Sequence, residues 1–241
     1  MENRRTDFDR YKNELDQNGF AIIDAVFTNS ELSEITTCIE EREESLANTK
    51  KSKDLFAIRK IFTELPGIKD KILIGNIKSI IKDFFGPDYF IIKGLYFNKP
   101  SLSNWFVAYH QDRSVSVSNK IDSPLYKGWT IKDNQFGVQP PVTVLESIYT
   151  VRIHLDDCTG ENGALHVIPG SHKKGVNTSQ PALETEVLCE VPRGGIMIMR
   201  PLLLHASHKS TVTASRRVLH IEFCNRELPE SVYWAEKELI F

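Results

Sequence analysis

The tetrapeptide Tyr109-His110-Gln111-Asp112 places an imidazole and a carboxylate two residues apart. On an extended strand, side chains at this spacing leave the same face. His110 and Asp112 therefore suit two positions of a 2-His-1-carboxylate facial triad, which holds non-heme Fe(II) and leaves coordination positions open. A bare His-x-Asp is a weak signal, because many such histidines only hydrogen-bond to a core carboxylate. The pair predicts a metal site only if a second histidine joins it.

The best candidate for the second histidine is His205, which ends the apolar run Leu202-Leu203-Leu204. A histidine that closes a buried apolar strand is well placed to be a metal ligand, and this position favours His205. His208, three residues further on, is its main competitor. His154 and His220 lie inside apolar strands, where we expect satisfied core groups or side chains that support the ligands.

Arg216 follows His205 after a polar turn and begins another apolar stretch. In an antiparallel hairpin this separation can return its guanidinium to the metal, where a planar fork would bind a carboxylate in bidentate fashion. Ser207 would add a hydroxyl donor to the same anion. The alternative is that Arg216 and Arg217 form an ordinary basic pair at a strand edge.

The N-terminal part of the chain is predicted to be mainly helical. Apolar spacing predicts a helix over 7–18, and a capping box at Thr28-Asn29-Ser30-Glu31 opens another over 30–47. A short strand is predicted over 20–24, between these helices. Two further helices are predicted across 67–85.

Beyond residue 88 the pattern changes to short strands separated by turns. The predicted strands cover residues 89–93, 94–98, 105–110, 150–155, 165–168, 196–199 and 217–223. Helices followed by many strands favour a β-sandwich or barrel with helices packed on one side. Residues 113–145 are predicted to form a long loop, which in a compact domain is usually a lid or binding segment and is otherwise disordered.

Composition describes an ordinary globular protein of 241 residues with 41% hydrophobic residues. A net charge of -2 gives no support for nucleic-acid binding or a polybasic membrane anchor. No apolar run approaches the length of a membrane span, and no signal peptide is apparent. Four widely spaced cysteines are expected to be reduced thiols. We therefore expect a cytoplasmic protein.

Several segments together resemble the phytanoyl-CoA dioxygenase family of Fe(II)/2-oxoglutarate oxygenases. They span most of residues 88–225, in the order and at the spacing typical of the family, and are more specific as a set than singly. The matching segments are HQD (110–112), VRIHLDDCTGENG (151–163), VIPGSH (167–172), PRGGIMIMRP (192–201) and HAS (205–207), followed by Arg216.

The resemblance implies a mainly β protein with flanking α-helices. Its core would be a double-stranded β-helix, of the jelly-roll or cupin-like type, with the N-terminal helices packed on one side. We expect one domain over 1–241, with mainly helical support in 1–87 and the core in 88–225. The segment 113–145 would be a lid or substrate loop.

The resemblance also implies the site residues. Fe(II) would be held by His110, Asp112 and His205, with 2-oxoglutarate and O₂ as co-substrates. Arg216 would bind the distal carboxylate of 2-oxoglutarate, with weaker support for Ser207. The implied reaction is hydroxylation of a C–H bond of a small molecule, with release of succinate and CO₂. Related halogenases carry a small residue at the carboxylate position, so the acid there argues against chlorination.

Two departures from the family pattern bear on the substrate. Members often have an aromatic or small polar residue where this chain has Arg152, which either contributes to the co-substrate pocket or is a strand-edge charge. The segment 113–145 is longer than in members that act on acyl-CoA esters, so a CoA ester is not implied. Tyr96, Tyr109 and Trp129 are candidate substrate-lining residues, although aromatics in strands more often belong to the core.

Other functions remain open from the sequence. One is a 2-oxoglutarate or metal-binding sensor without turnover, and another is a cupin-like enzyme that uses zinc or manganese without a co-substrate. Desaturation or ring closure by the same oxidant is a third. We expect a small-molecule substrate, no nucleic acid or membrane partner, and a monomer or homodimer.

Overall fold

The computed structural model describes residues 2–45, 56–99, 106–132, 135–176, 186–214 and 216–241. Its helices are α1 (Glu2–Asn18), α2 (Asn29–Ser45), α3 (Ile61–Glu64), α4 (Ile68–Ile72), α5 (Gly75–Phe84) and α6 (Val142–Leu145). The helices predicted over 7–18, 30–47 and 67–85 are confirmed, except that residues 46–47 lie outside the described part of the chain. The capping box is formed as predicted, since the backbone N–H of Thr28 donates to Glu31 Oε2 over 2.7 Å and Glu31 N–H donates to Thr28 Oγ1 over 3.3 Å.

Strands dominate the rest of the described chain. They are β1 (Phe20–Ile23), β2 (Phe56–Arg59), β3 (Phe90–Lys99), β4 (Val107–His110), β5 (Val115–Val117), β6 (Lys127–Lys132), β7 (Gln135–Gln139), β8 (Tyr149–His154), β9 (Leu165–Val167), β10 (Val187–Cys189), β11 (Ile196–Met199), β12 (His205–Ser207), β13 (Arg216–Cys224) and β14 (Glu238–Leu239). The two strands predicted over 89–98 are one continuous strand, β3.

The strands form two principal antiparallel sheets. The seven-stranded major sheet has the order β1-β11-β8-β13-β3-β14, and β2 also pairs with β3. The four-stranded minor sheet has the order β10-β9-β12-β4. Along the chain β3, β8, β11 and β13 join the major sheet, whereas β4, β9, β10 and β12 join the minor one. This repeated crossing confirms the mainly β double-stranded β-helix with helices on one side.

The two faces of the major sheet differ in polarity, because successive side chains of a strand point to opposite faces. On β8, Val151 and Ile153 belong to the apolar core that includes Ile35 of α2 and Ile77 of α5. The intervening Arg152 lies on the opposite face, where it is paired in register with His220 of β13. The helices thus cover an apolar face, and the other face presents polar groups to the interior of the barrel.

The segment 113–145 contains regular structure where a loop was predicted. Strands β5, β7 and β6 form a three-stranded antiparallel sheet, followed by α6. Its Val115 and Val138 are buried in a core shared with Trp234 near the C-terminus, and Val117 forms an isolated bridge with Trp234. This partner lies more than a hundred residues away, so local pattern could not reveal these strands. No helix among the described residues is long and apolar enough to span a membrane.

Candidate metal centre and anion site

The minor sheet brings the two predicted histidine ligands together. His110 ends β4 and His205 begins β12, and the two residues are directly paired in register. Their ring centroids are 4.2 Å apart. Asp112 follows β4, and its backbone N–H donates to the carbonyl of Pro201 over 2.8 Å. Its Oδ1 lies 3.8 Å from His110 Nε2 and its Oδ2 lies 3.7 Å from His205 Nε2.

Backbone carbonyls orient both imidazoles. His110 Nδ1 is 2.9 Å from the carbonyl oxygen of Ala108, and His205 Nδ1 is 2.9 Å from that of Leu203. A carbonyl only accepts, so in the neutral rings each Nδ1 carries the proton and each Nε2 presents a lone pair. The Nε2 lone pairs of both rings are therefore available to a metal ion that the Asp112 carboxylate also binds. One ligand atom from each of the three residues lies within 4.8 Å of the others, which suits a shared metal ion.

The protonation states also suit metal binding. Burial lowers the pKa of His205 to about 4, although the charge of Asp112 opposes the shift. Burial by itself would raise the pKa of Asp112, but His205, His220 and Lys93 outweigh it and lower that pKa to about 2. At neutral pH His205 is thus a neutral imidazole and Asp112 an anion, the forms that coordinate metals.

His208, the competitor for the third position, lies outside this cluster. It is exposed, and its ring stacks on that of His166 with centroids 4.0 Å apart. The buried Gln111 ties the two ligand segments together, because its Nε2 donates to the carbonyl of Leu202 over 2.6 Å. The structure therefore brings together His205, and not His208, with the His-x-Asp pair.

The cluster opens into a cavity of about 250 Å³ between the two sheets. Its lining combines apolar side chains with the three candidate ligands and two arginines. The lining residues are Phe97, Val107, His110, Asp112, Arg152, Leu165, His205, Ala206, Ser207, Arg216 and His220. The cavity thus contains the predicted anion-binding residues as well as the three candidate metal ligands.

Arg216 points into this cavity and not toward bulk water. Only 6% of the residue is exposed, and its Nε has no hydrogen-bond partner among the described residues. Its Nη1 is 4.0 Å from Cys158 Sγ, a weak contact for a cation. Ser207 is also buried there, but its hydroxyl donates to the carbonyl of Gly163 over 3.0 Å. The Ser207 oxygen can therefore accept a hydrogen bond from a ligand, but its hydroxyl proton is already donated to Gly163.

Arg152 is a cavity residue and not a strand-edge charge. It is 7% exposed, and its Nη1 is 3.2 Å from His220 Nδ1. Burial and then the nearby charge of Arg216 lower the pKa of Arg152 to about 10. His154, expected to be satisfied in the core, has a partner for neither ring nitrogen among the described residues. Burial, followed by the charges of both arginines, lowers its pKa well below the ordinary value, so it is neutral.

The three aromatic candidates for substrate contact lie away from this cavity. Tyr96 is 1% exposed and belongs to the core between the major sheet and the helices. The hydroxyl of Tyr109 donates to Glu186. Trp129 lies on β6 and packs against Tyr126 and Phe136. A substrate role for these side chains stays a prediction.

Sequence reasoning missed three charged residues on the inner face of the major sheet. Lys93 and Glu222 form an ion pair of 2.7 Å, and their side chains are 18% and 4% exposed. Lys99 is 1% exposed and donates through its Nζ to the carbonyl of His208. Burial and the charge of Arg216 lower the pKa of Lys99 to about 8. For Glu222 the sequence did carry a signal, because residues 216, 218, 220 and 222 alternate onto one face of β13, the face that also carries Arg216 and His220.

The fold and the site define a jelly-roll protein with a His-His-Asp cluster beside buried arginines. Residues 15–218 match the family described as phytanoyl-CoA dioxygenase (PhyH), and the chain belongs to this family. No curated protein matches the chain in sequence.

Solved structures with the same fold share little sequence with the chain. One is the non-heme α-ketoglutarate-dependent carbocyclase SnoK from nogalamycin biosynthesis, with a TM-score of 0.68, 14% identity, and coverage of 90% of this chain and 84% of that chain. The non-heme monooxygenase ThoJ, solved as a nickel complex, has a TM-score of 0.67 and 16% identity, with 95% and 83% covered. EvdO2 from Micromonospora carbonacea var. aurantiaca, complexed with 2-oxoglutarate, has a TM-score of 0.65 and 17% identity, with 96% and 94% covered.

Proposed function

We propose that this protein is an Fe(II)- and 2-oxoglutarate-dependent dioxygenase that hydroxylates an aliphatic C–H bond of a small-molecule metabolite, with release of succinate and CO₂. The observation that carries the proposal is one cavity that contains both a His-His-Asp cluster and a buried guanidinium, that of Arg216, whose Nε has no partner among the described residues. The first feature suits a divalent metal, and the second suits a carboxylate of the co-substrate. Membership of the phytanoyl-CoA dioxygenase family supports the same assignment.

The donor set fits iron. Two imidazole nitrogens and one carboxylate oxygen are the ligands of non-heme Fe(II) oxygenases, and the set leaves positions free for a chelating co-substrate and O₂. His110, Asp112 and His205 would hold the ion. Their geometry supports this role, because one ligand atom of each residue lies within 4.8 Å of the other two.

Arg216 would hold the distal carboxylate of 2-oxoglutarate. A guanidinium offers two parallel donors to a carboxylate, and burial strengthens this pairing. The Nε of Arg216, which has no partner in the part of the chain that the structure describes, is one such donor. Ser207 lies two residues from His205 on the same face of β12, and it would line the same end of the co-substrate.

Iron with 2-oxoglutarate and O₂ supplies the oxidant for the C–H bond, and the protein supplies position and shelter. His205 and the arginines are almost fully buried, whereas the side chain of His110 is 40% exposed. The substrate carbon would therefore approach from the side of His110. Leu165 and Phe97 would exclude water from the co-substrate end.

Ring closure or desaturation is the alternative outcome of the same oxidation. The fold is similar to that of SnoK, a carbocyclase, and this similarity supports ring closure as an alternative to hydroxylation. Both reactions consume 2-oxoglutarate, so they differ only in the product. Mass analysis of a converted substrate separates them, because hydroxylation adds one oxygen atom and the alternatives remove two hydrogen atoms.

Succinate release tests the proposal. The purified protein is incubated with Fe(II), ascorbate, 2-oxoglutarate and air, and succinate is measured with and without a metabolite extract. We expect iron-dependent succinate formation that falls to background in His110→Ala, Asp112→Ala and His205→Ala. A wild-type protein that binds 2-oxoglutarate but releases no succinate under any condition is a sensor, and the proposal is then wrong.

A further inference from the structure

A second cavity, of about 260 Å³, lies beside the segment that follows β11. It shares no lining residue with the cavity that contains the candidate metal ligands. Four charged side chains line it, two of each sign, namely Asp16, Glu146, Lys173 and Arg200. The proposed dioxygenase reaction uses none of them. This cavity is therefore a candidate for a separate ligand site.

The guanidinium of Arg200 is held in a fixed orientation. Its Cζ lies 4.0 Å from the ring centre of Tyr149, and that ring is stacked in turn on Phe85, with centroids 4.3 Å apart. Its Nη1 donates to the backbone carbonyl of Glu146 over 2.9 Å, and this is the only hydrogen-bond partner of the guanidinium among the described residues. Its other N–H groups are available to an oxyanion. A planar fork that is already oriented loses little freedom when it binds one.

A second cation lies near Arg200. Lys173 belongs to the short turn after β9, and its Nζ donates to Gln17 Oε1 over 3.0 Å. That bond uses one of the three donors of the ammonium group. Burial and the charges of Arg200 and Lys173 lower the pKa of His172, which also lines the cavity. The two cations therefore lie close enough together to act on one ligand.

The two acids of the cavity come from other elements. Asp16 lies in the last turn of α1, and Glu146 directly follows α6. Among the described residues, neither acid forms an ion pair with Arg200 or Lys173, although all four side chains line the same cavity. A purely anionic ligand would be repelled by the acids, and a purely cationic one by the basic groups. A zwitterion complements both.

The size and the apolar part of the lining limit the ligand further. Leu145, Pro201 and Leu202 contribute buried apolar side chains to the cavity. The volume of about 260 Å³ is below that of pockets for drug-sized ligands, which is roughly 300–1,000 Å³. The cavity therefore suits one small zwitterion with an apolar side chain.

We infer that this second cavity binds a free α-amino acid with an apolar side chain. Its carboxylate pairs with Arg200 and Lys173, and its ammonium group faces Asp16 and Glu146. The inference goes beyond the proposed dioxygenase function and does not depend on it, because the two cavities have no lining residue in common.

Three molecules of similar shape test this inference. L-Leucine carries both charges, isocaproate lacks the ammonium group, and isoamylamine lacks the carboxylate. Ligand-observed NMR titrations of the full chain measure the three affinities at neutral pH. We expect L-leucine to bind about tenfold or more tightly than either analogue, because each analogue loses a charge-assisted interaction. If L-leucine does not bind, or binds no better than isocaproate, the inference is wrong.

Two adjacent lysines provide a matched pair of variants. Lys173 lines the cavity, whereas Lys174 does not, and both are exposed. We expect Lys173→Gln to weaken L-leucine several-fold and Lys174→Gln to leave its affinity unchanged. Arg200→Gln should weaken L-leucine about tenfold or more, without an effect on isoamylamine. An equal loss in the two lysine variants would show a general effect of charge, and the site is then excluded.

Two further variants test the acid and the location of the site. Glu146 is exposed, and Glu146→Gln should weaken L-leucine but not isocaproate, which has no ammonium group. Arg216→Met should bind L-leucine as the wild type does, although it loses 2-oxoglutarate. If L-leucine binding is lost in Arg216→Met and kept in Arg200→Gln, the amino acid occupies the dioxygenase cavity and the inference is wrong. If Arg200→Gln does not fold, Lys173→Gln takes its place in this comparison.

Discussion

Replacing Arg216 by methionine should stabilise the unliganded protein while it abolishes co-substrate binding. The residue is 6% exposed, its Nε is unpaired among the described residues, and its contact with Cys158 Sγ is 4.0 Å long. The neighbouring charge of Arg152 adds repulsion. Apolar replacement of buried charges of this kind is often stabilising by about 1–4 kcal/mol. We expect a gain of about 1–3 kcal/mol for Arg216→Met in the absence of ligand.

The adjacent arginine is the matched control. Arg217 donates to Asp156 over 2.8 and 2.9 Å and to Glu40 over 3.0 Å. The hydrogen bonds to Asp156 raise the pKa of Arg217 above its ordinary value. Arg217→Met removes these bonds and leaves Asp156 without its main partner, so it should destabilise the protein by about 1–3 kcal/mol. The two substitutions therefore change stability in opposite directions, although they are identical in chemistry and adjacent in sequence.

Urea unfolding of the metal-free proteins measures both free energies, and thermal unfolding checks the sign. For a chain of this size, 1 kcal/mol corresponds to a shift in melting temperature of about 2–4 °C. Titration with 2-oxoglutarate should show binding by Arg217→Met and none by Arg216→Met. The reasoning is refuted if Arg216→Met is destabilised as strongly as Arg217→Met, because the Arg216 guanidinium would then already have its anion within the fold.

Three further predictions concern the candidate metal ligand His205, the buried acid Glu236 and the constrained glycine Gly163. His205→Ala should lose Fe(II) binding in an anaerobic metal titration, whereas His208→Ala should keep it; the reverse result would mean that the wrong histidine was chosen. Burial raises the pKa of Glu236 from 4.5 to about 7. The folded protein therefore keeps the carboxyl proton of Glu236 to a higher pH than the unfolded chain does. The stability that this proton contributes is fully present below about pH 4.5 and is lost as the pH rises through 7. This loss should amount to about 3 kcal/mol. Urea unfolding at pH 5 and pH 8.5 should therefore show a flatter stability profile for Glu236→Gln than for the wild type, and an unchanged profile would contradict this prediction. Gly163→Ala should lower the melting temperature by several degrees, because Gly163 has φ +91° and a Cβ would lie 2.6 Å from Lys99 Nζ; a variant as stable as the wild type would contradict this strain.

The sequence alone predicted the class of the fold and the three residues, His110, Asp112 and His205, that the structure brings together as a candidate metal site. The alternation of apolar residues located β8, β11 and β13, and helical spacing located α1, α2 and the pair α4 and α5. The resemblance to the family supplied the jelly-roll topology. Spacing along the chain then identified the His-x-Asp pair, and the apolar run before His205 favoured it over His208.

Features that depend on distant partners were not predictable. The strands within 113–145 are stabilised by Val117 pairing with Trp234, which no local pattern reveals. The role of Arg152 was open because one strand does not show which residue faces it. His220 faces it from β13, and Glu222 and Lys93 complete a polar chain that requires three strands in register. From the sequence alone, Arg152 could equally be a cavity residue or a strand-edge charge, because its neighbours in the sheet were unknown.

The most direct test of the account is whether 2-oxoglutarate binding depends on the metal cluster. Anaerobic titration should show tight binding of 2-oxoglutarate to the Fe(II)-loaded wild-type protein, with one ligand per chain. Binding should be much weaker to the metal-free protein and to Asp112→Ala. Equally tight binding in all three samples would contradict the account, because the keto-diacid would then be held without the ion that the two imidazoles and the carboxylate are proposed to bind.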